Sequence, residues 1–274
     1  MGYLQLLVLA YLFAATINKD DLVFKLVIRQ PDVLKNKLYK KRLELMNKWK
    51  YLEFIVGLEI ELDKKSNPKI ALEQKAYLRN QFEFYGLKAN ERRDIQKPFL
   101  IKQYLPKKSE LDAVIKMLWK KLQRDFHYFS QELAYKYVNQ LEKKDIKLFE
   151  YMVTHKSWWD TVDFIANKLL GAYFKTYPEQ KYKYVEKWLK SNNIWLQRSA
   201  LLFQLKYKED LDKELLSSTI NSLLGSKEFF INKAIGWVLR EYSRTNPEWV
   251  LEFVNKTELS ALSNREAKKL VGKK

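Results

Sequence analysis

From about residue 52 onward, apolar residues recur at the three- and four-residue spacing of an amphipathic α-helix. This spacing constrains the fold more than any other feature of the sequence. One apolar stripe runs through Phe126–Glu142 and includes Phe129 and Leu133. Another runs through Leu211–Leu224 and includes Leu215. The sequence therefore predicts a chain of amphipathic helices from this point onward.

Residues at the ends of these stripes predict where the helices begin and end. Asn67 and Asn246 are each followed by proline, the pattern of an N-cap residue with proline at the first helical position. Gly86 and Gly171 fall just after helical stretches, where C-cap glycines belong. The segment Phe54–Leu62 alternates like a strand, but nothing near it offers a pairing partner, so we predict a helix there.

Short helices separated by polar turns favour an array of antiparallel helix pairs. We predict an all-α fold, a right-handed α-solenoid of HEAT-like or armadillo-like repeats with a concave basic groove that fits a DNA duplex. Residues 51–274 form the repeat domain. Residues 1–50 form an N-terminal extension, either accessory helices or sequence upstream of the true start, for which Met46 is an internal candidate.

Composition excludes several classes of function. The chain of 274 residues carries 51 Lys and Arg against 33 Asp and Glu, a net charge of +18, which favours a polyanionic partner. It has no cysteine and only 2 histidines, so thiol nucleophiles, iron–sulfur clusters and zinc sites are not expected. None of its 7 glycines forms a dinucleotide or P-loop motif. We expect neither a metal nor a cofactor.

The apolar run Leu4–Ala15 is too short for a membrane helix, which needs about 20 residues. No lysine or arginine precedes it, so the charged region of a secretory signal is missing. We expect a cytoplasmic, nucleoid-associated protein without a membrane partner. A divergent export signal remains open, as does a helical scaffold for an acidic protein or a membrane surface that uses this run as an anchor.

The segment KSWWDTVD, residues 156–163, is the densest cluster of candidate functional side chains. Ser157 is suited to cap a helix, which places Trp159 and Asp163 four residues apart on one helix face. A carboxylate beside an aromatic ring is a poor core arrangement, because a buried aspartate needs a partner. The alternative is that both tryptophans are core residues and the aspartates are solvated at the helix N-terminus.

Three residues farther along the chain extend this pattern. Arg198 lies inside an otherwise apolar segment, and Lys206 follows on roughly the same helix face. Asp163, Arg198 and Trp237 are separated by 35 and 39 residues, about the length of a two-helix repeat. They are therefore expected to occupy equivalent positions in successive repeats and to line one groove.

Several long motifs resemble the AlkD-like DNA alkylation repair glycosylases, an all-helical family of HEAT-like repeats. These motifs are SWWDTVD, WLQRSALLFQLKYK and EFFINKAIGWVLREYSRTNPEWV. The segment QKAYLRNQFEFYGLKANERR is similar to the N-terminal repeat of that family. The resemblance covers about residues 52–270 and leaves out the first fifty.

The resemblance implies the catalytic roles. Asp163 matches the catalytic carboxylate of the family, and Trp159 and Trp237 match the two aromatic residues that hold the sugar of the damaged nucleotide. An alkylated purine already carries a positive charge, so its departure needs no general acid, and one carboxylate can stabilise the oxocarbenium-like sugar and position a water.

The resemblance also implies DNA contacts. Arg198 matches the arginine at the DNA backbone, Lys206 matches a phosphate contact, and Tyr77 matches the groove tyrosine. Gln197 stands where a second basic residue is common in the family, which weakens the expected phosphate contact.

These observations predict a monofunctional, monomeric DNA glycosylase that hydrolyses the N-glycosidic bond of cationic N3- and N7-alkylated purines in duplex DNA and leaves an abasic site. The resemblance implies that the base stays largely stacked while the sugar and backbone are gripped. The alternative is a non-catalytic HEAT-like DNA-binding protein, in which we would expect the aspartate or the tryptophans to be lost.

Overall fold

A computed structural model describes residues 51–271. The chain divides into two units, residues 1–57 and residues 58–274, and nearly all of the described residues belong to the second unit. Residues 51–64 are helical, which confirms the helix predicted over Phe54–Leu62. The run Leu4–Ala15 and Met46 lie outside the described residues, so the nature of the N-terminal extension stays a prediction. No helix in the described range has the length and apolar character needed to cross a membrane.

The second unit is built from α-helices joined by turns and short 3-10 segments. The α-helices are α1 (Pro68–Tyr77), α2 (Ala89–Gln96), α3 (Leu111–Trp119), α4 (Arg124–Tyr135), α5 (Ile146–Thr154), α6 (Trp159–Phe164), α7 (Gly171–Thr176), α8 (Lys181–Leu189), α9 (Ile194–Leu202), α10 (Lys213–Asn221), α11 (Phe229–Tyr242), α12 (Pro247–Lys256) and α13 (Ala261–Ala267). Between residues 51 and 271, β-structure is limited to an isolated bridge between Glu83 and Gln123.

Helices α6 and α7 are parts of one continuous helical segment, because the π-helical residues Ile165–Leu170 connect them. π-Helical turns occur frequently at functional sites. Gly171 lies inside this segment with a helical φ of −58°, so the predicted C-cap at this position is wrong. The glycine permits close packing instead, since a Cβ at Gly171 would lie 2.8 Å from the carbonyl oxygen of Phe203.

The two predicted asparagine caps are confirmed. Asn67 accepts hydrogen bonds from the first-turn amides of α1, and Asn246 accepts one from a first-turn amide of α12. The predicted cap at Gly86 is wrong, because α1 already ends at Tyr77 and Gly86 lies in the loop that follows. Gly86 has a φ of +80°, and a Cβ there would lie 2.0 Å from the carbonyl oxygen of Asn67. This loop therefore requires glycine.

The helix predicted over Phe126–Glu142 is shorter in the structure, where α4 ends at Tyr135. The apolar residues beyond that point pack in the turn rather than on the helix. Tyr137 is 4% exposed, and its hydroxyl donates to the carbonyl of Pro106. Helix α10 lies inside the predicted range Leu211–Leu224.

Hydrogen bonds between neighbouring repeats join residues that lie about one repeat apart in sequence. The hydroxyls of Tyr137, Tyr173 and Tyr207 donate to carbonyls 31, 30 and 36 residues earlier in the chain. The ion pair between Lys206 and Glu241 spans 35 residues. Successive repeats therefore make similar contacts with their neighbours, and the fold is the predicted all-α solenoid of helical repeats.

The apolar helix faces meet in a core that runs through the later repeats. Leu201, Leu216, Ile235 and Val250 belong to this core, and each is at most 1% exposed. Helix α11 packs against both α9 and α13. The core thereby sets the relative positions of α6, α9 and α11, the helices that carry most of the predicted site residues.

Candidate active site

Asp163 is held at its position by Arg198. The Nε and Nη2 atoms of Arg198 donate to the two carboxylate oxygens of Asp163 at 2.7 and 2.9 Å, a bidentate pair. The Nη1 atom donates to the carbonyl of Phe230 at 2.5 Å. Because α9 packs against both α6 and α11, these three residues meet although they are far apart in sequence.

Burial and pairing act in opposite directions on the pKa of Asp163. Its side chain is 16% exposed, and that of Arg198 is 4% exposed. Burial raises the pKa of the Asp163 carboxyl, the hydrogen bonds and the charge of Arg198 lower it, and the nearby charge of Asp160 raises it. The net shift of the pKa is upward, and Arg198 is the main group that favours the ionised carboxylate.

The structure also brings Trp159 and Tyr77 together. Trp159 lies on α6 four residues before Asp163, so the two side chains share one face of the helix. The ring of Tyr77, at the end of α1, meets the ring of Trp159 edge-on, with centroids 5.9 Å apart and an interplanar angle of 79°. Tyr77 is 72% exposed and therefore accessible to a large ligand.

The turn before α6 differs from the prediction. Trp158, not Ser157, occupies the N-cap position, and the Ser157 hydroxyl donates to the carbonyl of Val153 at 2.6 Å. The predicted serine cap is therefore wrong. The ring of Trp158 packs against those of Trp195 and Phe230, with centroids 5.6 and 5.2 Å away. Of the two adjacent tryptophans, Trp158 packs against other aromatic rings and Trp159 contacts Tyr77.

Trp237 lies on α11 and is partly buried against the core. It follows Phe230, whose carbonyl accepts from Arg198, by seven residues, or about 10 Å along the same helix. The preceding Gly236 permits α11 to approach α13, because a Cβ there would lie 2.5 Å from the Cβ of Glu266. The role of Trp237 in holding a sugar stays a prediction.

Lys206 does not continue the face of α9 that carries Arg198. Helix α9 ends at Leu202, so the prediction based on helical spacing is wrong at this point. Lys206 lies in the following turn, and its Nζ pairs with Glu241 at 2.5 Å. Its side chain is 55% exposed, and its predicted contact with a DNA phosphate stays a prediction.

A second buried guanidinium, that of Arg124, fixes the turn that begins α6. Its Nε and Nη2 atoms donate to the carboxylate of Asp160 at 2.9 and 2.6 Å. Nη2 also donates to the Thr161 hydroxyl at 2.8 Å, and Nη1 donates to the carbonyl of Lys156 at 2.6 Å. The last donor, on Nη1, reaches Nδ1 of His127 at 3.1 Å. All five N–H groups of Arg124 are thereby used.

His127 takes part in this network as a neutral ring. Because Nδ1 accepts from Arg124, the ring proton lies on Nε2, which faces the carbonyls of Trp119 and Lys121 at 3.0 and 3.2 Å. Burial, and secondarily the charge of Arg124, lowers the pKa of His127 to about 3. The histidine is therefore a structural residue and not an acid–base group.

The sequence analysis missed Arg124 and Asp160 as a pair. A signal for them exists, because Arg124 and Asp160 are 36 residues apart and Arg198 and Asp163 are 35 apart. In one pair the arginine comes first, and in the other the aspartate does. Asp160 also accepts from the hydroxyl of Tyr128 at 2.6 Å, so two side chains of α4 hold the first turn of α6.

An open pocket of about 450 Å³ adjoins Trp159. We call it the aromatic pocket, and it is formed by residues from α1, α2, α4, α6 and the loop between α1 and α2. Its lining includes Gln74, Tyr77, Arg92, Tyr128, Trp159 and Asp160.

Taken together, the fold and site define a helical-repeat protein with a partly buried carboxylate held by an arginine and accompanied by aromatic side chains. The family model for the DNA alkylation repair enzymes matches residues 58–271, and the chain belongs to this family. A solved structure from Enterococcus faecalis, described as a predicted DNA alkylation repair enzyme, is 34% identical, with a TM-score of 0.71. That match covers 76% of this chain and 98% of the other. No match was found among curated proteins.

Proposed function

We propose that this protein is a monofunctional DNA glycosylase that excises cationic N3- and N7-alkylated purines, such as 3-methyladenine and 7-methylguanine, from duplex DNA. The observation that carries the proposal is the partly buried carboxylate of Asp163, oriented by Arg198 and placed on the same helix face as Trp159. Membership of the DNA alkylation repair family supports the choice of substrate.

The reaction needs few catalytic groups. As the glycosidic bond breaks, its electron pair moves to the base and neutralises the positive charge, so the base leaves without being protonated. Water then adds to C1′ of the sugar, and the carboxylate of Asp163 accepts the proton that the water loses. The negative charge of the carboxylate also stabilises the oxocarbenium-like sugar in the transition state.

The geometry of the pair suits this role. Each carboxylate oxygen of Asp163 accepts one hydrogen bond from Arg198 and retains lone-pair capacity for a water or for the developing cation. Three of the five N–H groups of Arg198 donate to Asp163 and Phe230. The other two make no hydrogen bond among the described residues, and we assign them to a DNA phosphate.

The aromatic residues supply the second element. A planar indole beside a cationic nucleotide attracts it by about 0.5–2 kcal/mol. We assign this role to Trp159 and Trp237, with Tyr77 as a groove contact. Lys206 would be the amine for a lyase reaction, but it is more than half exposed and paired with Glu241. Without a desolvated amine in this position, the reaction ends at the abasic site.

Single-turnover release of 7-methylguanine from a methylated duplex tests the proposal. We expect the full chain to release the base, and we expect Asp163→Asn to abolish release while duplex affinity stays within about threefold, because the carboxylate acts in the transition state. Glu252→Gln is a matched control, because it also replaces a carboxylate by its amide but at an exposed pair with Lys256, and neither residue is among the predicted site residues.

Three contrary outcomes can be told apart. Tight, salt-sensitive duplex binding without release by the native chain would identify a non-catalytic DNA-binding member of the family. Release that persists in Asp163→Asn would place the catalytic carboxylate elsewhere. A collapse of duplex affinity in Asp163→Asn would make the aspartate a structural residue.

A further inference from the structure

The short helix α6 carries two poorly exposed carboxylates three residues apart. The side chain of Asp160 is 8% exposed, and that of Asp163 is 16% exposed. Residues three apart are neighbours on a helix surface, with about 5–6 Å between their Cβ atoms, and like charges at this spacing repel each other. The ionised form of each carboxylate is therefore disfavoured unless a cation lies beside it.

The structure places one arginine beside each of the two carboxylates. The fully buried guanidinium of Arg124, on α4, donates to both carboxylate oxygens of Asp160, and the hydroxyl of Tyr128 adds a third hydrogen bond. Arg198, on α9, donates to both oxygens of Asp163. The two ion pairs thus lie side by side on α6, and each arginine comes from a different helix.

Arg124 also holds the main chain on both sides of Trp159. It donates to the carbonyl of Lys156 and to the hydroxyl of Thr161. Lys156 has a φ of +51°, a conformation that is unfavourable for residues other than glycine and that persists only where other contacts impose it. Trp159 is partly buried and lines the open aromatic pocket, so packing does not enclose its indole on that side. The position of this ring therefore depends on the main chain that Arg124 holds.

We propose that Arg124 and Asp160 are positioning residues of the glycosylase reaction, which act through Trp159 and Asp163 on the same helix. This inference rests on the proposed function, and it assigns neither residue a contact with DNA. Arg124 fixes the turn that presents Trp159, and its charge offsets the charge of Asp160 next to Asp163. The pair is therefore expected to influence both the rate of excision and its pH dependence.

The charges around Asp163 give the two partners opposite effects. Burial raises the pKa of the Asp163 carboxyl, Arg198 lowers it, and Asp160 raises it. If the charge of Asp160 alone is removed, Arg124 is left uncompensated and favours the ionised form of Asp163. If Arg124 alone is removed, two neighbouring carboxylates share one arginine, and the ionised form of Asp163 is disfavoured.

The other carboxylates on the helices packed against α6 are engaged elsewhere. Helix α6 packs against α4, α5 and α9. On α4, Asp125 accepts from the main-chain amide of Tyr85 and Glu132 pairs with Arg93, and on α5, Glu150 pairs with Lys187. The remaining ionisable side chains are His127, Tyr128 and Tyr135 of α4, Lys147 and Tyr151 of α5, and Lys168 of the π-helical segment. Asp160 is therefore the carboxylate that we expect to act on Asp163.

Single-turnover excision of 7-methylguanine across a pH series tests the proposal. Asp160→Asn is expected to shift the rise of excision to lower pH and Arg124→Met to higher pH, each by about 0.5–1 pH unit, as for charges about 6 Å apart in a partly solvated site. The double variant Arg124→Met/Asp160→Asn is expected to lie between the two. These shifts of opposite sign are not expected from a loss of stability.

The rate separates positioning from charge. Arg124→Lys keeps the charge but loses the planar guanidinium, so its pH profile is expected to stay near the native one. Its excision rate is nevertheless expected to fall about 10- to 100-fold, as in Arg124→Met, because the turn that presents Trp159 is no longer held. Duplex affinity is expected to stay within about threefold in both variants, since the reaction loses orientation rather than binding.

Asp145→Asn is the matched control. The side chain of Asp145 is 9% exposed and pairs with Lys108, and it precedes α5 at the end away from α6, about 13 Å along that helix. This variant is expected to lower stability but to leave the rate and the pH profile of excision unchanged. Urea unfolding identifies any variant that fails to fold, and if Arg124→Met does, Asp160→Asn and Arg124→Lys decide.

An NMR titration of the Asp163 carboxyl carbon, assigned by its loss in Asp163→Asn, gives a readout that does not need excision. If the native chain excises the base but Asp160→Asn and Arg124→Met keep the pH profile of the control or shift it in the same direction, the positioning role is refuted and the glycosylase stands. Native excision rates in Arg124→Met and Arg124→Lys would refute it as well. If the titration of Asp163 shifts in opposite directions but no chain excises the base, the proposed function fails while the influence of the pair on Asp163 stands.

Discussion

Arg124 offers the sharpest test of how the beginning of α6 is held. Arg124→Met removes five N–H donors while keeping an unbranched side chain of similar length. The carboxylate of Asp160, whose side chain is 8% exposed, then retains only the hydroxyl of Tyr128 as a partner. The carbonyl of Lys156 and Nδ1 of His127 lose the donor that Arg124 supplies.

Removing one partner of a buried ion pair costs about 3–5 kcal/mol, because the remaining charge is left in a poorly solvated position. A domain of ordinary stability has about 5–15 kcal/mol in total, so this variant is expected to lose a large fraction of it. The double variant Arg124→Met/Asp160→Leu removes both charges. It is expected to be several kcal/mol more stable than the sum of the two single variants implies.

Urea unfolding at pH 7 and 25 °C measures these differences as shifts of the midpoint at constant slope. The control is Lys190→Met, which breaks an ion pair with Glu186 whose side chains are 74% and 66% exposed. An exposed pair of this kind contributes little, so the midpoint is expected to stay nearly unchanged. A loss below about 1 kcal/mol in Arg124→Met, or strictly additive losses in the double variant, would refute the description of Arg124 as the group that holds this turn.

Three further predictions concern pH, packing and salt. Catalysis needs the ionised carboxylate of Asp163, so excision should rise with pH through the pKa of this group, which burial raises and Arg198 lowers. Arg198→Met should shift this rise in the pH profile to higher pH, and by more than Arg198→Lys does. An unshifted pH profile would show that the arginine does not control the ionisation of Asp163. Gly236→Ala should lower the free energy of unfolding by about 1–3 kcal/mol, because its Cβ would lie 2.5 Å from that of Glu266, and an unchanged urea midpoint would show that α13 yields without strain. Duplex affinity should fall about 10³-fold between 50 and 200 mM salt if about six phosphates are neutralised, and a flat salt dependence in a filter-binding or anisotropy titration would argue against a backbone-binding groove.

Local sequence signals identified the helices well because their determinants are local. The caps at Asn67 and Asn246 depend on a side chain and amides two or three residues away. Glycines were harder to interpret. Gly171 and Gly86 are required by a close approach to Phe203 and to Asn67, and neither ends a helix. A sequence does not show which distant main-chain atom a missing side chain accommodates.

The candidate site also has one part that local sequence signals predict and another that depends on tertiary packing. Trp159 and Asp163 share a helix face because helical geometry alone places residues four apart on one side. Their relation to Arg198 was anticipated from the repeat length, and the packing of α6 against α9 turns it into a bidentate ion pair. Lys206 departs from the prediction because α9 ends at Leu202, one turn before it.

By itself, the sequence determined the all-α repeat architecture, the positive charge and the turn that carries Trp159 and Asp163, because periodicity, composition and i,i+4 spacing are properties of neighbouring residues. Only the tertiary structure decided that Arg124 holds Asp160 and that Arg198 also donates to the carbonyl of Phe230. These pairings join residues from different helices, so they depend on where each helix ends and how it packs. Whether a buried polar atom has a hydrogen-bond partner on another helix is therefore decided only once the helices have packed together.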